Sequence, residues 1–162
     1  MTISRIARPL VGLVVVGALI SACTSTNAAK LAAGERTIYL AAIEPKGSTT
    51  VEKEPFPDEA LPPGGGYVLK EPDDTGTWTV ETYRWLPGEI TVVQGDEVTL
   101  EILGINGTSH PTTLEGYDLS FEVERGKLTT VTFTADKAGI FRFVCSVHSP
   151  SMTGTLVVLP AS

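Results

Sequence analysis

A chain of 162 residues with 19 acidic and 12 basic side chains has a formal charge of −7, which argues against nucleic acid as a partner. The length accommodates one domain with appendages. Two cysteines are too few for a disulfide framework. The acidic balance serves solubility, and it would also suit a basic protein partner.

The first segment reads as an export signal. Arg5 and Arg8 form a short basic region, and Leu10 to Ile20 is an apolar run too short to span a bilayer comfortably. The run ends in Ile20-Ser21-Ala22-Cys23, which resembles a bacterial lipobox. That resemblance implies cleavage after residue 22, lipidation of Cys23 and a membrane anchor. Removing Arg5 and Arg8 without any acid takes the formal charge from −7 to −9. It leaves Cys145 as the single thiol, which in an oxidising compartment needs protection. The expected location is the extracytoplasmic, periplasm-facing side of a bacterial membrane. The outer membrane is favoured because Thr24, not an aspartate, follows Cys23.

Residues 23–36 are small and polar and read as a tether. The domain is expected to occupy residues 37–162. Thr37 to Ile43 predicts a first strand with Ile38, Leu40 and Ala42 on one face. Residues 44–66 are rich in proline and acids and end in Gly64-Gly65-Gly66, so a long acidic loop without regular structure is expected. Tyr67–Lys70 predicts a short strand. Thr77–Trp85 predicts another, with Trp78, Val80 and Tyr83 as inward candidates. Pro87-Gly88 breaks the chain before Glu89–Val93. Gln94-Gly95-Asp96 then turns it into Glu97–Leu103, where Val98, Leu100 and Ile102 alternate. A loop over Gly104–Gly107 leads to His110. Leu119–Val123, Leu128–Thr134, Gly139–Cys145 and Thr153–Leu159 complete the strands. Short strands separated by Gly and Asp turns predict an all-β sandwich or barrel.

The chemistry concentrates in Cys145-Ser146-Val147-His148-Ser149-Pro150-Ser151-Met152. A thiolate, an imidazole and a thioether on one loop are donors that soft metals prefer. The chain has two His and two Met, one of the latter being Met1. The domain therefore holds four such side chains: His110, Cys145, His148 and Met152. Loops at one end of a sandwich converge, so His110 can meet the other three. Singly, each would be read as packing or surface. Together they read as a metal site, of the two-imidazole, one-thiolate, weak-thioether type that defines blue copper.

The stretch Thr130–Cys145 with His148, Met152 and Gly154-Thr155-Leu156-Val157-Val158 resembles the copper end of a cupredoxin. Pro87–Val98 resembles the early strand pair of that family, and the resemblance covers roughly Tyr83 to Leu159. It implies a Greek-key β-sandwich and single-electron transfer through one copper ion cycling between Cu(I) and Cu(II). It also implies equatorial ligands His110, Cys145 and His148 and an axial Met152. A membrane-tethered carrier, not an enzyme, is expected, with a redox protein such as a c-type cytochrome or terminal oxidase as partner. A copper storage or delivery protein would use the same ligands, and a zinc or metal-free domain is the third reading. The flanking phrase Thr132-Phe133-Thr134-Ala135-Asp136-Lys137-Ala138-Gly139 resembles the dinuclear copper domains of cytochrome oxidase subunit II and nitrous oxide reductase. Those domains need a second bridging cysteine, and Ser149 stands where it would be. One copper is therefore expected. Two histidines are also too few for a multicopper oxidase.

Pro111 is a further departure. In many blue-copper proteins the residue after the first His donates its backbone N–H to the Cys sulfur, and proline has none. Hydrogen bonds to the sulfur tune the potential. The expectation is a lowered reduction potential that Pro111→Ala raises, checked by voltammetry of both proteins.

Overall fold

Period-two alternation places Val98, Leu100 and Ile102 on one face of the strand Glu97–Gly104, and all three are buried. The computed structural model describes residues 31–61 and 63–162, and the regular elements among them are twelve strands. These are β1 (Glu35–Ile43), β2 (Lys46–Thr50), β3 (Tyr67–Lys70), β4 (Thr77–Thr82), β5 (Arg84–Leu86), β6 (Glu89–Val93), β7 (Glu97–Gly104), β8 (Ser109–Leu114), β9 (Leu119–Glu124), β10 (Leu128–Thr134), β11 (Gly139–Cys145) and β12 (Thr153–Leu159). Cys23 and the expected export signal lie outside the described residues.

One sheet has the order β10-β7-β1-β5, and the other has β6-β12-β11-β8-β9. Two pairs are parallel, β1 with β7 and β6 with β12. Parallel neighbours cannot be joined by a tight hairpin, so both pairs require long connections. The result is an all-β sandwich with the non-local wiring of a Greek key.

The core is the inner faces of the two sheets. Leu40, Ala42, Trp85, Val98, Leu100, Ile102 and Val131 come from the first. Ile90, Val92, Leu114, Val123, Phe143, Leu156 and Val158 come from the second. Each large side chain removed from water contributes about 1.5–3 kcal/mol. Phe143 lies opposite Gly154 in the β11–β12 register, and its ring occupies the space a Cβ at Gly154 would need. Glycine is therefore required there to admit the aromatic ring.

A carboxylate ties the start of β1 to this sandwich. Asp96 is fully buried and accepts hydrogen bonds from the backbone N–H of Val93 (2.6 Å) and of Gly34 (2.8 Å), and from Arg36. Strand β1 accordingly begins at Glu35, two residues before the expected start.

The segment between β1 and β5 differs most from expectation. Lys46–Thr50 is a strand within the predicted loop, so that loop shrinks. The β-branched Thr49 and Thr50 and the Lys46–Glu81 pairing across the strands support it. Strands β2-β4-β3 form a separate small sheet. Its Trp78 is buried by the edge of Phe56, at 5.7 Å between centroids, and its Nε1 donates to the Glu54 carbonyl. Val80, expected inward, is exposed because this sheet stands outside the main core. The expected strand Thr77–Trp85 is two strands, with Tyr83 between them.

Candidate metal centre

The β8–β11 pairing sets Thr112 opposite Cys145. Residues two apart on a strand share a face, so His110 lies on the same side of the sheet as Thr112. That register brings His110 to Cys145 from distant parts of the sequence. His110 is the second residue of β8, already inside a strand and not in the loop before it. Both side chains are fully buried.

Beyond Cys145 the chain turns back on itself. Ser146 N–H donates to the Pro111 carbonyl at 2.9 Å, and Met152 N–H donates to the His148 carbonyl at 2.9 Å. Cys145 N–H donates to the Met152 carbonyl at 3.1 Å, closing the loop. These bonds return Met152 to the side of Cys145, where it is fully buried in the core.

The donor atoms converge. His110 Nδ1 and His148 Nδ1 are 3.2 Å apart, and Cys145 Sγ is 3.4 Å from His148 Nδ1. All three lie within 4.8 Å of one another. Atoms sharing one ion at bond lengths of about 2.0–2.3 Å sit within about 4.5 Å of each other, and the two measured pairs meet that limit.

The tautomer of His110 is set locally. Its Nε2 is 2.9 Å from the Asn106 carbonyl, which can only accept, so Nε2 carries the proton. The Nδ1 lone pair is then free and faces the other donors. Such an outer hydrogen bond is what orients a metal-binding imidazole. Asn106 is itself held by both ends of its amide: Oδ1 accepts from Glu44 N–H at 2.6 Å and Nδ2 donates to the Glu44 carbonyl at 2.9 Å. Gly107 has φ +79°, and a Cβ there would fall 2.6 Å from the His110 ring.

Burial pushes the Cys145 thiol up, while the backbone N–H groups of Val147 and His148 lower it by bonding the sulfur. The sulfur thus has two backbone donors although Pro111 supplies none. Burial, and then the neighbouring His110, hold His148 below its ordinary value, against a smaller opposing effect of Glu44. Neutral imidazoles are the form that binds metals.

The four expected residues therefore come together, His148 half-buried and the other three fully buried. Asn106, Tyr83 and Gly64–Gly66, none of them expected at the site, border it, and Gly65 N–H donates to the Ser149 carbonyl of the ligand loop. Tyr83 stacks on His148 with centroids 3.8 Å apart and planes 11° from parallel. The sequence signals were an Asn-Gly pair before His110 and three consecutive glycines, both open to ordinary turn readings.

Comparison with known proteins points to one family. A family model described as "Cupredoxin-like domain" matches residues 60–158. Nitrous-oxide reductase of Stutzerimonas stutzeri is 36% identical over 81 residues, covering 45% of this chain and 12% of that protein. The chain thus spans about an eighth of that relative. Cytochrome c oxidase subunit 2 of Thermus thermophilus is 28% identical over 122 residues, covering 72% of this chain and 87% of that one. Among solved structures, the blue copper oxidase from Nitrosomonas europaea superposes with TM-score 0.50 at 18% identity, covering 79% of this chain and 40% of that chain. At that identity the likeness speaks for the fold alone. By the extent of the family match and by its sandwich, the chain belongs to the cupredoxin-like domain family.

Proposed function

We propose that the protein is a single-electron carrier with one copper ion held by Cys145, His110, His148 and, weakly, Met152. The observation that carries this reading is the convergence of two Nδ1 atoms and one thiol sulfur beside a buried methionine. The donor set fits copper: a thiolate and two neutral imidazoles match its softness, and zinc would lack a fourth strong donor. Copper bound there supplies a one-electron couple. The protein's part is to hold the donors in one arrangement in both oxidation states. His110 is fixed through Asn106, Cys145 through its strand and two N–H groups, and Met152 through the closed loop. Excluding water from three of the four side chains lowers the local dielectric and limits reorganisation.

A carrier fits better than an enzyme, because both histidines of the chain converge at this one site. Storage or delivery would use the same ligands, but buried donors on a closed loop favour retention over release. The likeness to a cytochrome c oxidase subunit supports a redox protein, such as a c-type cytochrome or terminal oxidase, as partner. The signal-like N-terminus supports an extracytoplasmic site of action with a lipid anchor on Cys23.

The test is spectroscopic. The copper-loaded protein is expected to show an intense visible thiolate-to-copper band, the EPR signal of one Cu(II), and a reversible one-electron wave. A colourless protein that exchanges Cu(I) freely would overturn the carrier reading.

A further inference from the structure

His148 is the least buried of the three close donors and lies on a loop, not on a strand. Something outside the ligand set must fix its ring. The segment that leaves the sandwich between β1 and β5 returns to the ligand loop in two places.

The first is the glycine seam. Gly65 N–H donates to the Ser149 carbonyl at 2.5 Å, and Gly65 forms an isolated parallel bridge with Pro150. A Cβ on Gly65 would lie 2.7 Å from the Val147 carbonyl oxygen, and one on Gly64 would lie 3.0 Å from that of Ser149. On Gly66 it would overlap Ser151 Oγ and the His148 carbonyl. No other residue type allows three successive backbone units this close to a second backbone. The second place is Tyr83. Its N–H donates to the Gly66 carbonyl at 2.8 Å, so the seam and the ring are one unit. The ring lies flat on His148, and the Tyr83 hydroxyl faces the buried Glu44 carboxylate, which is paired with Lys46 at 2.9 Å.

We propose that Tyr83 and Gly64–Gly66 form an outer clasp that positions His148. Tyr83 is a positioning residue, not a ligand. The flat stack removes rotation of the imidazole about χ2, and the seam fixes the backbone of the loop that carries it. Between them they leave His148 one orientation before copper arrives, and they oppose the swing of the ring that must precede metal loss. The clasp rests on the copper reading for its purpose, but its mechanical part concerns the metal-free protein.

The experiment uses Tyr83→Leu, Tyr83→Phe and Gly65→Ala, with Tyr39→Leu on the exposed face of β1 as control. In the metal-free proteins, NMR of the His148 ring should show one ordered orientation in wild type, Tyr83→Phe and the control. Tyr83→Leu should show exchange broadening or a second orientation. In the copper-loaded proteins, a chelator should remove Cu(II) about two- to tenfold faster from Tyr83→Leu and Gly65→Ala, as expected for loss of an aromatic stack. Tyr83→Phe should release copper at the wild-type rate, since it keeps the ring. An equally ordered His148 in Tyr83→Leu, with unchanged copper release, would overturn the clasp. A wild type that binds no copper would overturn the carrier reading, while the ring measurement would still decide the clasp.

Discussion

Replacing Asp96 by Ala is expected to lower the unfolding free energy by about 2–5 kcal/mol. The carboxylate is fully buried, where the β6–β7 turn meets the start of β1. It satisfies the backbone N–H groups of Val93 and Gly34 and pairs with Arg36. Arg36 is partly exposed and can return to water, so its loss of a partner costs little. The buried N–H of Val93 cannot, and an orphaned donor costs about 1–3 kcal/mol. The same turn also ties in β10, because Ala135 N–H donates to the Asp96 carbonyl and Gly95 N–H to that of Ala135. Urea unfolding of wild type and variant measures the difference, and a loss under about 1 kcal/mol would show that the knot is dispensable.

The same group predicts an acid limb. Burial alone would push the Asp96 carboxyl up. The N–H of Val93, the Arg36 guanidinium and the N–H of Gly34 outweigh it and hold the group below its ordinary value. A carboxyl with a lower value folded than unfolded binds its proton more readily in the unfolded chain. Its contribution is therefore complete above an unfolded value of about 3.9 and is lost as pH falls through the folded value. Asp96→Asn should flatten this dependence below about pH 4, and an unchanged slope would assign it to other carboxyls.

Most of the sandwich was legible because its strands are half-buried. Val98, Leu100 and Ile102 alternate with Glu97, Thr99 and Glu101, and such a pattern fits only a strand with one dry face. The cluster of donor side chains that the fold brings together was legible for a different reason. Soft donors are rare here, and the few present sit at the ends of strands that a sandwich brings together. Lys46–Thr50 was not legible, because the prolines and acids after it dominate the composition and its pairing partner lies beyond a long excursion. Val80 misled because alternation reports which residues share a face, not whether another layer covers that face. Tyr83 and Asn106 matter through contacts with His148 and His110 that no local pattern encodes. Asp96 reads in sequence as an ordinary turn residue. Its burial appears only when the chain before β1 closes over it.

The largest effect on the proposed copper site should come from Cys145→Ser. Serine is close in size, so the β11–β12 pairing and the closed loop should persist. The N–H groups that bond the sulfur, from Val147 and His148, can bond Oγ instead. With those partners the buried hydroxyl should cost no more than about 1–3 kcal/mol, the range seen when polar groups are buried in proteins. Function should change far more. A neutral hydroxyl is a poor, hard donor, and neither His110, His148 nor Met152 can replace the covalency of a thiolate. The intense visible band should vanish entirely, and Cu(II) still bound should show the EPR pattern of ordinary imidazole–oxygen coordination. Circular dichroism and thermal unfolding of the metal-free variant separate the two effects. A near-wild-type melt with no visible band assigns the colour and the redox couple to one sulfur. Retention of the band in Cys145→Ser would remove Cys145 from the site and overturn the proposed ligand set.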